Sequence, residues 1–184
     1  MVAVIVVAVV VGLLLLFVIL GFNTLVRRRN KTDNAWAQVD VQLTKRHDLI
    51  PNVVESVKGY AAHERQTFEA VTQARTSAMT AQGPAARAGA EDALTSALGR
   101  LMVVAENYPQ LQASANFLNL QEQLSSVESG IAYARQYYND SVLTYENGRR
   151  TFPLVLIAAP FGFKPREYFK AAAGTTEPVQ VSFS

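Results

Sequence analysis

Residues 46–57 read RHDLIPNVVESV. Apolar residues recur three and four apart on both sides of Pro51, which is the spacing of one helix face. A proline inside a helix lacks the N–H that would bond the carbonyl four residues back, here that of His47. Charged Arg46 and Asp48 flank His47 just before it. The stretch is either a joint in a helical scaffold or a working site.

Extended outward, the spacing predicts one long helix from about residue 24 to 80. Its seam is Trp36, Val39, Leu43, Arg46, Ile50, Val53, Val57, Tyr60, Glu64, Phe68 and Val71, mostly at alternating steps of three and four. Pro51 kinks this helix, freeing the His47 carbonyl, or ends it. Asn52 with Glu55 resembles a capping box that would help a restart. TAQGPAARAG at 80–89 reads as the turn of a helical hairpin. A second helix over about 88–107 carries Leu94, Leu98, Leu101, Ala105 and Tyr108, and Pro109 breaks the pattern. A third, over about 114–147, carries Phe117, Leu120, Leu124, Val127, Ile131, Ala134 and Tyr138. Ser114 is its expected N-cap and Gly148 its expected stop.

Upstream, residues 2–22 hold no charged side chain. A helix of that length covers about 30 Å, the thickness of a hydrocarbon core. A cleaved signal peptide would want basic residues before a shorter apolar run. Here Arg27, Arg28, Arg29 and Lys31 follow the run, so an uncleaved anchor is expected, with the N-terminus outside the cell membrane and the rest cytoplasmic. The basic residues then serve stop-transfer and contact with anionic headgroups. The net charge of +2 is too small to point to nucleic acid, and the absence of cysteine excludes thiol catalysis and disulfides.

The expected fold is all-α: an N-terminal transmembrane helix followed by an elongated antiparallel three- to four-helix bundle with a long, kinked first helix. Its segments are an anchor (1–22), a basic juxtamembrane stretch (23–31), the bundle (32–151), an apolar C-terminal segment (152–170) that packs against the bundle, lies on a membrane surface or receives a partner, and a tail (171–184).

The residues offer little catalytic chemistry. The histidines, His47 and His63, lack the Glu-x-x-His pairing of a di-iron bundle and the second histidine of a zinc-protease helix. No phosphate loop or serine elbow occurs. No enzyme, cofactor or metal is expected. Polar residues do stand on or beside the seams: Arg46 and Glu64 at apolar positions, and Glu128 and Arg135 along the border of the third stripe. Buried charges must pair, so these are interhelical ion pairs that fix register or a surface for a partner.

Several stretches together resemble the LemA family of bacterial membrane proteins. They are FNTLVRRRNKTDNAWAQVDVQLTKRHDLIPNVVESVKGYAAHE (22–64), TQAR (72–75), ENYPQLQASANFLNLQEQL (106–124) and SGIAYARQYYNDSV (129–142). The family's motif positions fall on Trp36, Asp40, Gln42, Arg46, Asp48, Pro51, Asn52, Tyr60, Glu64, Arg75, Glu106, Tyr108, Pro109, Asn116, Phe117, Arg135, Tyr138 and Asn139. The resemblance implies a single membrane helix, a cytoplasmic helical domain, and no established catalytic activity or cofactor. Relatives encoded near membrane metalloproteases, and a branch that takes part in magnetosome formation, imply a helper of membrane processes. The expected function is therefore a membrane-tethered scaffold acting on other membrane proteins, a membrane protease among the candidates. The alternatives are a signalling module that relays membrane state to a cytoplasmic effector and a self-assembling, homo-oligomeric scaffold.

Overall fold

The computed structural model describes residues 1–170, and every regular element among them is a helix. In order these are α1 (Val2–Lys58), α2 (Arg65–Thr80), α3 (Pro84–Glu106), the single turn α4 (Pro109–Gln112), α5 (Ala115–Arg150) and the single turn α6 (Val155–Ala158). The expected tail at 171–184 lies outside the described residues.

Two compact units share these helices. The first takes residues 1–38 and 136–166, and the second 39–135 with 167–170. In the second unit, Ile50, Val53 and Val57 of α1 meet Phe68 and Val71 of α2, Leu94, Leu98 and Leu101 of α3, Leu111 of α4, and Phe117 and Leu120 of α5. All but Leu111 are residues whose spacing marked the stripes. At about 25 cal/mol per Å² of apolar surface removed from water, this burial is what holds short helices such as α2 in place. Gly83, at φ 81°, makes the α2–α3 turn, and Pro84 opens α3 at a position where its missing N–H costs nothing.

In the first unit, Leu25 of α1 and Tyr145 of α5 enclose Ile157, Ala158 and Phe163 of the C-terminal segment, with Phe17, Val26 and Leu154 against them. One face of the segment therefore packs on α1 and α5. The Phe152–Pro153 peptide before it is cis. Trp36 and the buried Tyr138 meet at 5.2 Å between ring centroids.

Four expectations are corrected. The first bundle helix does not reach residue 80: it is continuous with the apolar N-terminal stretch, ends at Lys58, and α2 begins at Arg65. Gly59 opens the break, and Tyr60 and Ala61 both bond back to the Val57 carbonyl. The periodic pattern ran through this break because Val57 and Phe68 are buried on either side of it. Tyr60 and Glu64 are consequently exposed and not on a seam, Glu64 standing at the start of α2 without a side-chain cap. Of the two readings left open for Pro51, the helix break falls, since α1 runs through it. Asn52 and Glu55 are exposed, and Glu55 pairs with Lys58 at 2.6 Å, so no capping box restarts the helix. Gly148 does not stop α5, which continues to Arg150. Gly148 is buried there against the Arg28 guanidinium, where a Cβ would collide. Its lack of a side chain serves close approach, and Pro153 bars further helix a few residues on.

Candidate functional site

The opening stretch forms a polar joint inside the second unit. Arg46 and His47 are 2% and 3% exposed, and both turn toward Glu91 of α3, itself 4% exposed. Arg46 Nη1 donates to Glu91 Oε2 at 3.0 Å and Nη2 donates to Thr95 Oγ1 at 2.7 Å. His47 Nε2 lies 2.7 Å from Glu91 Oε1. Arg46 Nε stands 2.8 Å from Glu128 Oε1 of α5, an ion pair in which the N–H is not aimed at the oxygen. One arginine thus ties α1 to α3 and α5, as a register-setting pair would.

The carbonyl that Pro51 frees has a partner. Arg75 of α2 donates its Nε to the His47 backbone oxygen at 2.8 Å. A proline in a helix interior orphans one acceptor, and an unpaired buried acceptor costs about 1–3 kcal/mol. The charged guanidinium takes the place of the missing N–H, and Asn52 is exposed. A nearby third tie joins Arg87 Nη1 of α3 to Asp40 Oδ1 at 2.6 Å.

The other motif positions are dispersed. Phe117 is fully buried, and the half-buried Tyr108 packs on the same core. Pro109 is the first residue of α4, and the Glu106 carbonyl accepts from Gln112 Nε2 at 2.9 Å. Asn52 and Asn116 line one shallow hollow with Glu55, Ser56 and Leu120. Arg135 lies 5.0 Å over the ring of the buried Phe169. Asn139 is half-buried on α5. Asp48 alone of the charged trio faces outward. It lines an open groove of ≈ 590 Å³ between α1 and α5 with Lys45, Leu49, Asn119, Glu122, Gln123, Ser126 and Val127.

The basic cluster after the apolar stretch is drawn into the first unit more than expected. Arg28 Nη1 donates to the Thr144 carbonyl at 3.0 Å. Arg29 lies over the Phe163 ring at 5.6 Å and Lys31 over the Tyr137 ring at 5.5 Å. Arg27 is exposed.

Sequence reasoning missed Glu91 and Glu146. Glu91 had a signal: it stands three before Leu94 and seven before Leu98, on their stripe. Glu146 had none. It is buried, accepts from Arg149 Nη2 at 2.8 Å, and accepts the backbone N–H of Arg166 at 2.9 Å, which docks the end of the C-terminal segment. Burial pushes the Glu146 carboxyl up, but the bonds from Arg149 and Arg166 outweigh it and hold the group below its ordinary value. A depressed carboxyl contributes stability that is complete above the unfolded value and is lost as pH falls through the folded one. Docking of 164–166 should therefore be unchanged from pH 7 to 5 and loosen only below about pH 4.5. Amide hydrogen exchange at Arg166 checks this, and Glu146→Gln should remove the acid-side transition. Tyr145, whose hydroxyl donates to the Lys164 carbonyl at 2.8 Å, is shifted up by burial.

Among the described residues, no three His, Cys, Asp or Glu side chains converge so as to hold a metal ion. Among the same residues, α1 is the one helix long and apolar enough to cross a membrane, through an N-terminal stretch that is unburied. Fold and joint define a class: an all-helical protein with one candidate membrane anchor, whose buried charges hold helices together. The LemA family model matches residues 35–183, and the chain belongs to the LemA family. Among curated proteins it is similar to Magnetosome protein MamQ 2 of Paramagnetospirillum magneticum, 27% identical over 187 residues that cover 88% of this chain and 69% of the relative. It is also similar to Magnetosome protein MamQ of Magnetospirillum gryphiswaldense, 25% identical over the same shares. Neither the family nor these relatives are known as enzymes.

Proposed function

We propose that this chain is a membrane-tethered, non-catalytic interaction module that acts on other membrane proteins through the groove between α1 and α5. One contrast carries the reading. Arg46, His47, Glu91 and Arg75 are engaged with one another inside the second unit, while Asp48, Lys45 and Glu122 stand open around apolar Leu49 and Val127. An apolar floor with a charged rim suits an amphipathic helix of a partner. Tethering confines the module to the membrane plane and raises its effective concentration toward partners there. The magnetosome relatives support a role in a membrane process.

In the proposed orientation the N-terminus lies outside, residues 2–22 cross the membrane, and the rest of both helical units lies in the cytoplasm, on the side of residues 27–31. The chain has no cysteine, so Ser129→Cys gives a single reporter. It should stay unlabelled in intact cells by a thiol reagent that cannot cross the membrane. Labelling there overturns the orientation.

The groove is tested by placing a photoreactive residue at Asn119 or Gln123 in cells and identifying the crosslinked products. Reproducible links to one membrane protein, such as a protease or a transporter, are expected, and Asp48→Lys should abolish them. Links only between copies of the chain would replace this reading with a self-assembling scaffold.

A further inference from the structure

The first unit leaves a set of large apolar side chains unburied at one place. Phe152 is 78% exposed, Leu156 63% and Phe161 52%. All three belong to the C-terminal segment, whose other face is packed on α1. Gly21 of α1 lets that segment approach closely, since a Cβ there would overlap Ile157 Cδ1 and stand 3.0 Å from Leu154 Cδ2. Phe22 meets the rings of Phe161 and Phe163 edge-on at 5.4 and 5.5 Å.

The height of this contact on α1 matters. Residues 2–21 rise about 30 Å at 1.5 Å per residue, one hydrocarbon thickness. Gly21 therefore stands where the helix leaves the apolar layer, with Leu154 and Ile157 against it and Phe161 beside the neighbouring Phe22. Arg27 follows about 9 Å further along. Positive charge is gathered next to the patch: Arg29 and Lys164 line a hollow of ≈ 320 Å³ with Tyr145, Gly162 and Arg166. Part of this charge is already compensated, Arg166 by Asp33 at 2.7 Å and Arg149 by Glu146 at 2.8 Å. Arg27 has an exposed side chain and Arg150 remains 71% exposed beside Glu146.

We propose that residues 152–163 are a second membrane-contacting element. Folded against the anchor, they seat Phe152, Leu156 and Phe161 at the boundary between acyl chains and headgroups of an anionic leaflet. Arg27, Arg29 and Lys164 face the headgroup phosphates. Apolar side chains inserted at this depth beside basic groups are what interfacial anchors use. The inference rests on the reading of α1 as a membrane anchor, and it gives the first unit a fixed seat on the bilayer rather than a flexible tether.

The absence of cysteine allows a direct test on the full chain in vesicles of phosphatidylcholine and phosphatidylglycerol. A fluorophore sensitive to polarity is placed singly at Leu156→Cys, Phe161→Cys, Leu20→Cys and Ser129→Cys, and quenched by lipids bearing a nitroxide high on the acyl chain. The labels at 156 and 161 should shift to the blue and lose fluorescence as strongly as that at 20, while the label at 129 responds only to aqueous iodide. Quenching at 20 with only iodide quenching at 156 and 161 overturns the proposal and leaves the anchor standing. No lipid quenching at 20 overturns the anchor reading itself, and the proposal with it. In vesicles of phosphatidylcholine alone the quenching at 156 should weaken; equal quenching in both lipids overturns the part assigned to the basic residues.

Discussion

Replacing Glu91 by Leu lowers the stability of the second unit by about 3–5 kcal/mol, the loss expected when one partner of a buried ion pair is removed. Glu91 is the acceptor for both Arg46 and His47, and the Arg46 and Glu91 side chains are 3% and 5% exposed. Without it, Arg46 keeps the Thr95 hydroxyl and the Glu128 contact, but Glu128 is 41% exposed and the Nε–H is not aimed at it. Neither offsets the desolvation of a guanidinium. Removing both charges behaves differently, because a buried pair replaced by well-packed apolar groups is often neutral or stabilising. The double variant Arg46→Met with Glu91→Leu should thus recover much of the single loss. Urea denaturation of the full chain in detergent, followed by circular dichroism, measures both. A single variant costing under about 1 kcal/mol would mean that the pair is solvated rather than buried.

Phe117→Ala should cost a similar amount, about 3–5 kcal/mol, for a different reason. Phe117 is fully buried at the start of α5, in the core that joins α1, α2, α3 and α4. Truncation removes the transfer free energy of the ring and leaves a cavity that long helices fixed at several points close only in part. Phe117→Leu keeps most of the volume and should cost under about 1.5 kcal/mol. The same denaturation experiment separates the two, and equal effects would place Phe117 outside the core.

The helices were legible because stripe residues are selected by packing. Val39, Leu43, Ile50 and Val53, and likewise Leu94, Leu98 and Leu101, are all buried. Boundaries were less legible because periodicity reports burial rather than backbone continuity. Val57 and Phe68 keep the pattern alive across a break, and spacing left open whether Pro51 kinks or ends a helix that in fact continues. A proline inside a helix crowds and orphans one carbonyl, and here that carbonyl's partner, Arg75, comes from another helix, at a separation local patterns do not carry. Arg46 could be recognised as a buried charge needing a partner, but three helices lay within reach and spacing did not choose among them. Glu91 was recoverable from the heptad it completes. Glu146 and the stacking of Arg135 on Phe169 depend on where the C-terminal segment folds back, which no periodicity encodes.

That the Pro51 stretch is a joint rather than a working site is tested most directly by a double-mutant cycle between Pro51 and Arg75. In the Pro51 chain, Arg75→Met leaves the His47 carbonyl without its donor and should cost about 1–3 kcal/mol. In the Pro51→Ala chain the new N–H at position 51 bonds that carbonyl, so the same substitution should cost less, with a coupling of about 1 kcal/mol or more. Equal cost in both backgrounds would show that Arg75 does not stand in for the missing donor, and would return Arg46, His47 and Arg75 to the candidates for a working site.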